Sequence, residues 1–307
     1  MISVLLRLRW KGRYLKKRWR TKSRSWILVL RPNPRRTLWI TSWQRSGSTW
    51  LAEMLVSPPG TRLMYEPANV SEGVVTGEQA ATTPLPEGAH PATLEVIRAL
   101  QGGAAFHGAW IDQLNTAHLV RRTVVKDVRA MAIAAEVRRY RPHNPVIVLT
   151  RHPFEIARSV VALGWYDPAS KNPFLDEVEQ WCQRHHSVFL SLRDQNVHFV
   201  AYEELLNDAK GQLAAIGTYA MAIHPTWRKL NSMAIDVTRP SSTNFRDSSA
   251  FGPTSWSDID KNHRRSGLEI LTRYTMTALY SDEPGCKMPL ADFVANYEPI
   301  DPPARSH

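Results

Sequence analysis

Arg45-Ser46-Gly47-Ser48-Thr49 places a fixed cation, three hydroxyls and a glycine in five consecutive positions. An apolar run, Leu38-Trp39-Ile40, leads into this segment and a helical pattern over Thr49–Val56 leaves it. A strand that feeds a small-residue turn opening a helix is a cradle for phosphate. The backbone N–H groups of the first helical turn face the anion, the helix dipole favours negative charge, and the arginine adds a cation. The Gly-Lys-Ser/Thr ending of the common ATP loop is missing. The expected ligand is therefore phosphorylated, and it is not ATP held in the usual way.

A second constellation lies at Val146–Ser159, VIVLTRHPFEIARS. An apolar strand ends at Thr150-Arg151, Pro153 suits the first turn of a helix, and Ser159 follows on that helix. Arg151 and Ser159 can then reach one anion, and the guanidinium fork matches phosphate oxygens. Alone, such an arginine is as readily a structural cap. Downstream of a phosphate loop it reads as a second phosphate site.

These residues need rigid elements behind them. Strand signals fall at Thr37–Thr41, Arg62–Tyr65, Thr123–Lys126, Pro145–Thr150 and Val197–Ala201. Helical patterns fall at Thr49–Val56, Ala92–Leu100, Ala130–Tyr140, Glu155–Leu163, Leu175–Leu192, Asp208–Met221 and Arg264–Leu279. Short apolar strands alternating with helices predict an α/β fold with a mostly parallel central sheet flanked by helices. Ligands of such folds bind beyond the carboxyl ends of the strands, where both motifs lie. Ser71–Pro91 and Thr238–Ser257 read as loops, the first a candidate lid or substrate loop. There is no internal repeat and no clear second domain.

The chain has 307 residues and a net charge of +11, unevenly spread. Residues 1–36 hold 13 of the 39 Lys and Arg and no acid, so the remaining 26 bases face 28 acids. The basicity belongs to an N-terminal arm, with Trp10, Trp19 and Trp26 set among its charges. Such a segment suits an anionic membrane surface. A solvated tail and a nucleic-acid ligand remain as alternatives, nucleic acid being the least expected. No apolar run in the arm approaches the roughly 20 residues that span a bilayer. Cys182 and Cys286 form no metal or redox spacing, and Cys182 reads as a small core residue. A reducing cytoplasm is the expected compartment, with the arm peripheral to the inner face of the membrane. The segment 282–307 reads as a proline-rich tail wrapping the surface, leaving 37–281 as the domain.

Together the two motifs resemble those of the sulfotransferases that use 3′-phosphoadenosine-5′-phosphosulfate (PAPS). Arg45-Ser46-Gly47-Ser48-Thr49-Trp50 is similar to the family's 5′-phosphosulfate loop, and Arg151 with Ser159 to its 3′-phosphate site. Tyr65-Glu66-Pro67 resembles the Phe/Tyr-Glu-Pro of carbohydrate sulfotransferases, and Lys126-Asp127-Val128-Arg129 a Lys-x-x-Arg strand end found there. Ala201-Tyr202-Glu203-Glu204-Leu205 is similar to the family's Arg-Tyr-Glu-Asp-Leu, with Ala201 in place of the Arg. The resemblance covers roughly 37–280 and implies a P-loop-like, three-layer α/β fold.

It also implies roles. Arg45 would meet the bridging oxygen and 5′-phosphosulfate, and Ser46, Gly47, Ser48 and Thr49 would hold the 5′-phosphate. Trp50 lines the adenine pocket by resemblance, or is an ordinary core tryptophan. Relatives acting on phenols and steroids take their base from a Lys-x-His strand end, absent here because Val128 follows Lys126-Asp127. Glu66 matches the base of carbohydrate-type relatives, with Asp127 in reserve and Lys126 beside it as a catalytic cation; a structural ion-paired Glu66 is the alternative. Ser241, Ser242, Thr243 and Arg246 would fold over the nucleotide, with Trp256 near them and Gly252 displaced from the family's Gly-x-Trp; a plain polar loop is the equal alternative. His152 reads as a solvent-facing turn residue, with contact to the nucleotide as the alternative. Of the pair His185-His186, one should be buried and one exposed. No metal is expected.

The expectation is a PAPS-dependent transfer of sulfonate to a hydroxyl of a carbohydrate or glycolipid. The competing readings are a kinase with a degenerate P-loop and a non-catalytic nucleotide- or membrane-binding relative.

Overall fold

A computed structural model describes residues 28–29, 36–56, 60–68, 111–112, 114, 119–140, 142–230, 256 and 259–298. The loops expected at Ser71–Pro91 and Thr238–Ser257 (apart from Trp256), the helical pattern Ala92–Leu100 and nearly all of the arm lie outside them.

Five strands form one parallel sheet: β2 (Thr37–Ser42), β3 (Thr61–Tyr65), β5 (Arg122–Lys126), β6 (Val146–Thr150) and β7 (His198–Ala201). Their order is β3-β5-β2-β6-β7. Two short strands, β1 (Leu28–Val29) and β4 (Leu119–Val120), pair with each other separately. All five strand expectations are met, with ends shifted by one residue at most.

The strands alternate between two cores, as a sheet covered on both faces requires. Leu38, Ile40, Leu63, Val124, Ile147, Leu149 and Val200 point into one cluster; Trp39, Met64, Val125, Val148 and Phe199 point into the other. The first face is covered by α1 (Ser48–Leu55) and α6 (Ala209–Ile223), the second by α3 (Pro153–Ala162) and α4 (Pro173–Leu192). Between them on the chain lie α2 (Ala134–Tyr140) and α5 (Tyr202–Asn207). Further on come α7 (Lys261–Arg273) and α8 (Leu290–Ala295). The result is three layers.

Local chemistry starts these helices. Asn172 caps α4 by accepting from Leu175 N at 3.2 Å, with Pro173 in the first turn, and Asp260 caps α7 by accepting from Asn262 N at 2.8 Å. Two long patterns break. Arg264–Leu279 ends as an α-helix at Arg273, because Thr275 turns left-handed (φ 57°) and a 3₁₀ turn at Met276–Ala278 follows. Ala130–Tyr140 begins as a 3₁₀ turn over Arg129–Ile133. The surface tail expected from Asp282 does not hold across α8: Leu290, Phe293, Val294 and Tyr297 are buried in the second cluster. Prolines there had masked an apolar pattern.

The chain leaves β2 for β3 and β5 on one side, then crosses to β6 and β7 on the other. The carboxyl end of β2 therefore sits at the switch point, flanked by the ends of β5 and β6. That is where a crevice opens in a parallel α/β sheet.

Candidate active site

After Ser42 the backbone turns through two left-handed residues, Arg45 (φ 61°) and Gly47 (φ 85°), and Gly47 caps α1. The turn aims the first N–H groups of α1 out of the strand end, where an anion gains most. Glycine is required at position 47 on two counts. Its φ is one that side chains avoid, and a Cβ would meet the Tyr202 ring at 2.5 Å. Ser46 is buried and its Oγ has no partner among the described residues, an unmet hydrogen-bonding group inside the cradle.

Arg151 leaves the end of β6 and crosses to this loop, its Nη1 donating to the carbonyl of Arg45 at 3.1 Å. Its Nη2 pairs with Glu155 at 3.2 Å, and its guanidinium lies 4.9 Å from the Tyr202 ring centroid. Arg45 in turn donates through Nε to Ser159 Oγ at 2.9 Å. Residues separated by more than 100 positions thus meet: the donor-loop arginine touches the α3 serine, and the β6 arginine touches the donor loop. Burial, then the positive charge of Arg151, lowers the pKa of Arg45 from its ordinary value. No carboxylate lies within ion-pair distance of Arg45 among the described residues. Two guanidinium groups brought together without full neutralisation make a strong anion site.

The other wall is built by β3 and β5, whose last residues, Tyr65 and Lys126, are in register. Glu66 follows in a left-handed conformation (φ 42°), its N–H donating to Lys126 O at 2.7 Å. Its carboxylate pairs with Lys126 Nζ and lies 3.5 Å from Arg129 Nη1. The Tyr65 hydroxyl bridges the two walls, donating to Glu66 and accepting from Thr49; burial, the largest cause, raises its pKa. Lys126 Nζ also sits 4.7 Å from the Tyr65 ring centroid. Asp127 is fully buried. Its Oδ2 accepts from Ala68 N at 2.6 Å and its Oδ1 from Arg129 N at 2.9 Å. Burial and the charge of Glu66 push its pKa up to about 6 against those bonds. Both its oxygens are thus committed to the backbone turns that carry Glu66 and Arg129.

Trp50 is half-buried and meets Tyr202 edge-on at 6.2 Å between centroids. His152 is not solvent-facing. It is fully buried, its Nδ1 accepts from Phe154 N at 3.2 Å to cap α3, and its Nε2 donates to Ser281 O at 3.1 Å. Burial lowers its pKa to about 3: the ring caps the start of α3 and packs against the rings of Trp256 and Tyr280. His185 is the buried member of its pair, donating through Nδ1 to Trp181 O at 2.8 Å and accepting from Thr150 Oγ1 at 3.0 Å. His186 is half-buried and meets the Tyr297 hydroxyl at 2.8 Å. Cys182 is buried. Trp256 donates to Asp282 O at 2.8 Å, while Ser241, Ser242, Thr243, Arg246 and Gly252 lie outside the described residues. Among the described residues no group of three or more His, Cys, Asp or Glu could hold a metal ion, and no helix is long and apolar enough to cross a membrane.

Sequence reasoning gave no role to Tyr202. Its ring touches the Gly47 position, Trp50 and Arg151 together. An aromatic immediately beyond an apolar strand, at the edge where ligands bind, was the signal for it.

A parallel sheet between two helical layers, with an anion cradle at its switch point and a carboxylate on the opposite wall, is the arrangement of a phosphate-binding α/β protein. The sequence model of the sulfotransferase family matches residues 38–221. This is more than half of the chain, so the protein belongs to the sulfotransferase family, with its P-loop-like fold, and is an enzyme of that class. Among solved structures, the sulfotransferase domain of the curacin biosynthetic pathway matches at 15% identity and a TM-score of 0.41, covering 77% of this chain and 96% of that one. A mouse sulfotransferase complexed with PAP matches at 15% identity and 0.44, covering 86% and 89%. Retinol dehydratase in complex with androsterone and PAP matches at 14% and 0.41, covering 79% and 81%. No curated protein matches the chain in sequence.

Proposed function

We propose that the protein moves the sulfonate group of PAPS to a hydroxyl of a carbohydrate or glycolipid acceptor. The observation that carries the reading is the meeting of Arg45, Ser159 and Arg151 at the mouth of the α1 cradle. A donor with phosphates at both ends of its ribose needs two adjoining anion sites. The α1 N-terminus with Ser46, Gly47, Ser48 and Thr49 supplies one, and Arg151 with Ser159 the other. The partnerless Ser46 Oγ and the room that only glycine leaves at position 47 fit a phosphate drawn close to the backbone.

Transfer requires that an acceptor oxygen bond to sulfur while the bond from sulfur to the phosphate oxygen breaks, in line. Positioning and charge neutralisation do most of this work. Arg45 in the loop and Lys126 at the end of β5, beside Glu66, would take up charge on the leaving phosphate oxygen. Glu66 accepts the proton of the attacking hydroxyl. Lys126 and Arg129 pair with its carboxylate, and Tyr65 and Asp127 hold its turn in place. The carbohydrate assignment rests on Tyr65-Glu66-Pro67 and on Val128 standing where a histidine base would be. The arm at 1–36 favours an acceptor at an anionic membrane surface on the cytoplasmic side.

Thermal unfolding with 3′,5′-ADP, ATP and 5′-AMP tests the donor. A ligand at about 100 times its Kd adds about 2.7 kcal/mol of stability, and 3′,5′-ADP alone should approach this. No preference for the 3′-phosphate defeats the reading. Glu66→Gln should keep the 3′,5′-ADP shift and lose roughly 100- to 10,000-fold in turnover; wild-type turnover removes Glu66 as the base. Transfer of labelled sulfonate to glycan, glycolipid, phenol and steroid acceptors then tests the acceptor class.

A further inference from the structure

We infer that Glu177 of α4 is a positioning residue for the donor loop, holding Trp43 and Gln44, the two residues before Arg45, from the helix beneath. The inference rests on the donor assignment above and adds a determinant of donor binding outside both phosphate motifs. Glu177 is buried, 5% exposed, on the apolar side of α4 with Phe174, Val178 and Trp181. Among the described residues no cation lies within ion-pair distance of it. A buried carboxylate is expensive unless hydrogen-bonded, and packing alone would be better served by leucine. Its partners are both in the loop: Trp43 Nε1 donates to Oε1 at 2.6 Å and Gln44 Nε2 donates to the same oxygen at 3.1 Å. Burial raises its pKa and these two bonds oppose the rise.

The same helix grips Trp43 from its face. The Arg184 guanidinium lies 5.2 Å from the Trp43 ring centroid. Seven residues separate Glu177 from Arg184, two turns of helix, so the indole is held edge and face by one rigid element. The next residue, His185, accepts from Thr150 Oγ1, the residue before Arg151. One helix therefore touches the segments leading into both phosphate-site arginines and sets the spacing between them. The loop needs such an anchor, because Arg45 sits in a left-handed conformation that it would not hold unaided.

The test measures Kd for 3′,5′-ADP, both KM values and kcat, with thermal unfolding, for the full chain carrying Glu177→Leu, Glu177→Gln, Trp43→Phe or Glu177→Leu with Trp43→Phe. Glu177→Leu should raise the 3′,5′-ADP Kd and donor KM about tenfold while acceptor KM stays within about twofold. Glu177→Gln, whose amide oxygen can accept the same two bonds, should stay within about threefold of wild type. Trp43→Phe should weaken donor binding about threefold alone and add nothing to Glu177→Leu, since the two share one contact. Wild-type donor affinity in Glu177→Leu, equal rises in both KM values, or additive effects overturn the inference. Should Glu177→Leu not fold, wild-type affinity in Trp43→Phe overturns it. A wild-type protein with no preference for 3′,5′-ADP over 5′-AMP overturns the donor assignment and this inference together; a preference with unchanged variants overturns this inference alone.

Discussion

Replacing Gly47 by alanine puts one methyl group where the fold has none to spare. Two effects can be separated. The φ of 85° lies in the left-handed region, where a Cβ costs about 1–2 kcal/mol. The same Cβ would stand 2.5 Å from two atoms of the Tyr202 ring, and overpacking of this kind costs about 1–3 kcal/mol. Together they come to about 2–5 kcal/mol. The ring cannot retreat freely, because Trp50 meets its edge and the Arg151 guanidinium faces it at 4.9 Å. If the loop yields instead, the protein stays folded and the loss appears in donor affinity, about 30-fold or more at 1.4 kcal/mol per decade. Thermal unfolding and a titration with 3′,5′-ADP divide the total between these outcomes. Adding Tyr202→Ala should return the clash and leave the backbone part, with Tyr202→Ala alone as the reference. Gly47→Ala with wild-type unfolding temperature and wild-type affinity refutes the close-approach reasoning. So does a double variant that gains nothing over Gly47→Ala when each is set against its own reference.

The buried histidines predict loss of stability in acid. His152 and His185 are held neutral, with pKa values lowered to about 3 by burial. Between about pH 6.5 and pH 3 the unfolded chain binds protons there and the folded chain does not, so stability falls as pH falls through that window. At pH 5 each contributes about 2 kcal/mol of this loss. Asp127, raised to about 6, acts in the opposite sense between about pH 4 and 6, as do Glu177, Glu203 and Glu204, whose pKa values burial raises, while His198, lowered to about 4, adds to the loss. Denaturant melts from pH 8 to 4 should show the fall, and a stability independent of pH over that range contradicts the burial of both rings. For the arm, cosedimentation with anionic vesicles should retain the full chain and release a variant beginning at Pro34, most clearly at low salt. Equal binding by both removes the membrane assignment.

Whatever depended on local backbone chemistry was legible in the sequence. Arg45-Ser46-Gly47-Ser48-Thr49 declared a strand-to-helix turn, and the structure shows that turn with Gly47 left-handed. Pro153 announced the start of α3 and the apolar runs announced all five strands of the sheet. Period and turn chemistry act over a few residues, so a few residues suffice to reveal them. What stayed hidden was set by pairing across the fold. From its neighbours alone His152 reads as a turn residue facing water, because nothing beside it in the chain is aromatic except Phe154. The rings of Trp256 and Tyr280 that bury it come from more than 100 residues away. Leu290–Tyr297 reads as tail because the prolines around it outweigh a short run of apolar spacing.

The same distinction explains why the site itself was half-visible. Arg45, Ser159 and Arg151 could each be named from their own strand or helix, but the contact that makes them one site exists only because β2 and β6 are neighbours at the switch of the sheet. Glu66 and Lys126 could likewise be named from two strand ends, and they meet because β3 and β5 stand in register at Tyr65 and Lys126. Tyr202 and Glu177 carry only weak local signatures, since an aromatic after a strand and an acid on an apolar helix face are each common. Their positions under the donor loop follow from the packing of α4 and β7 against it. Residues that would touch the donor answer to chemistry that residue type reveals. Residues that hold those in place answer to packing, which residue type alone does not reveal.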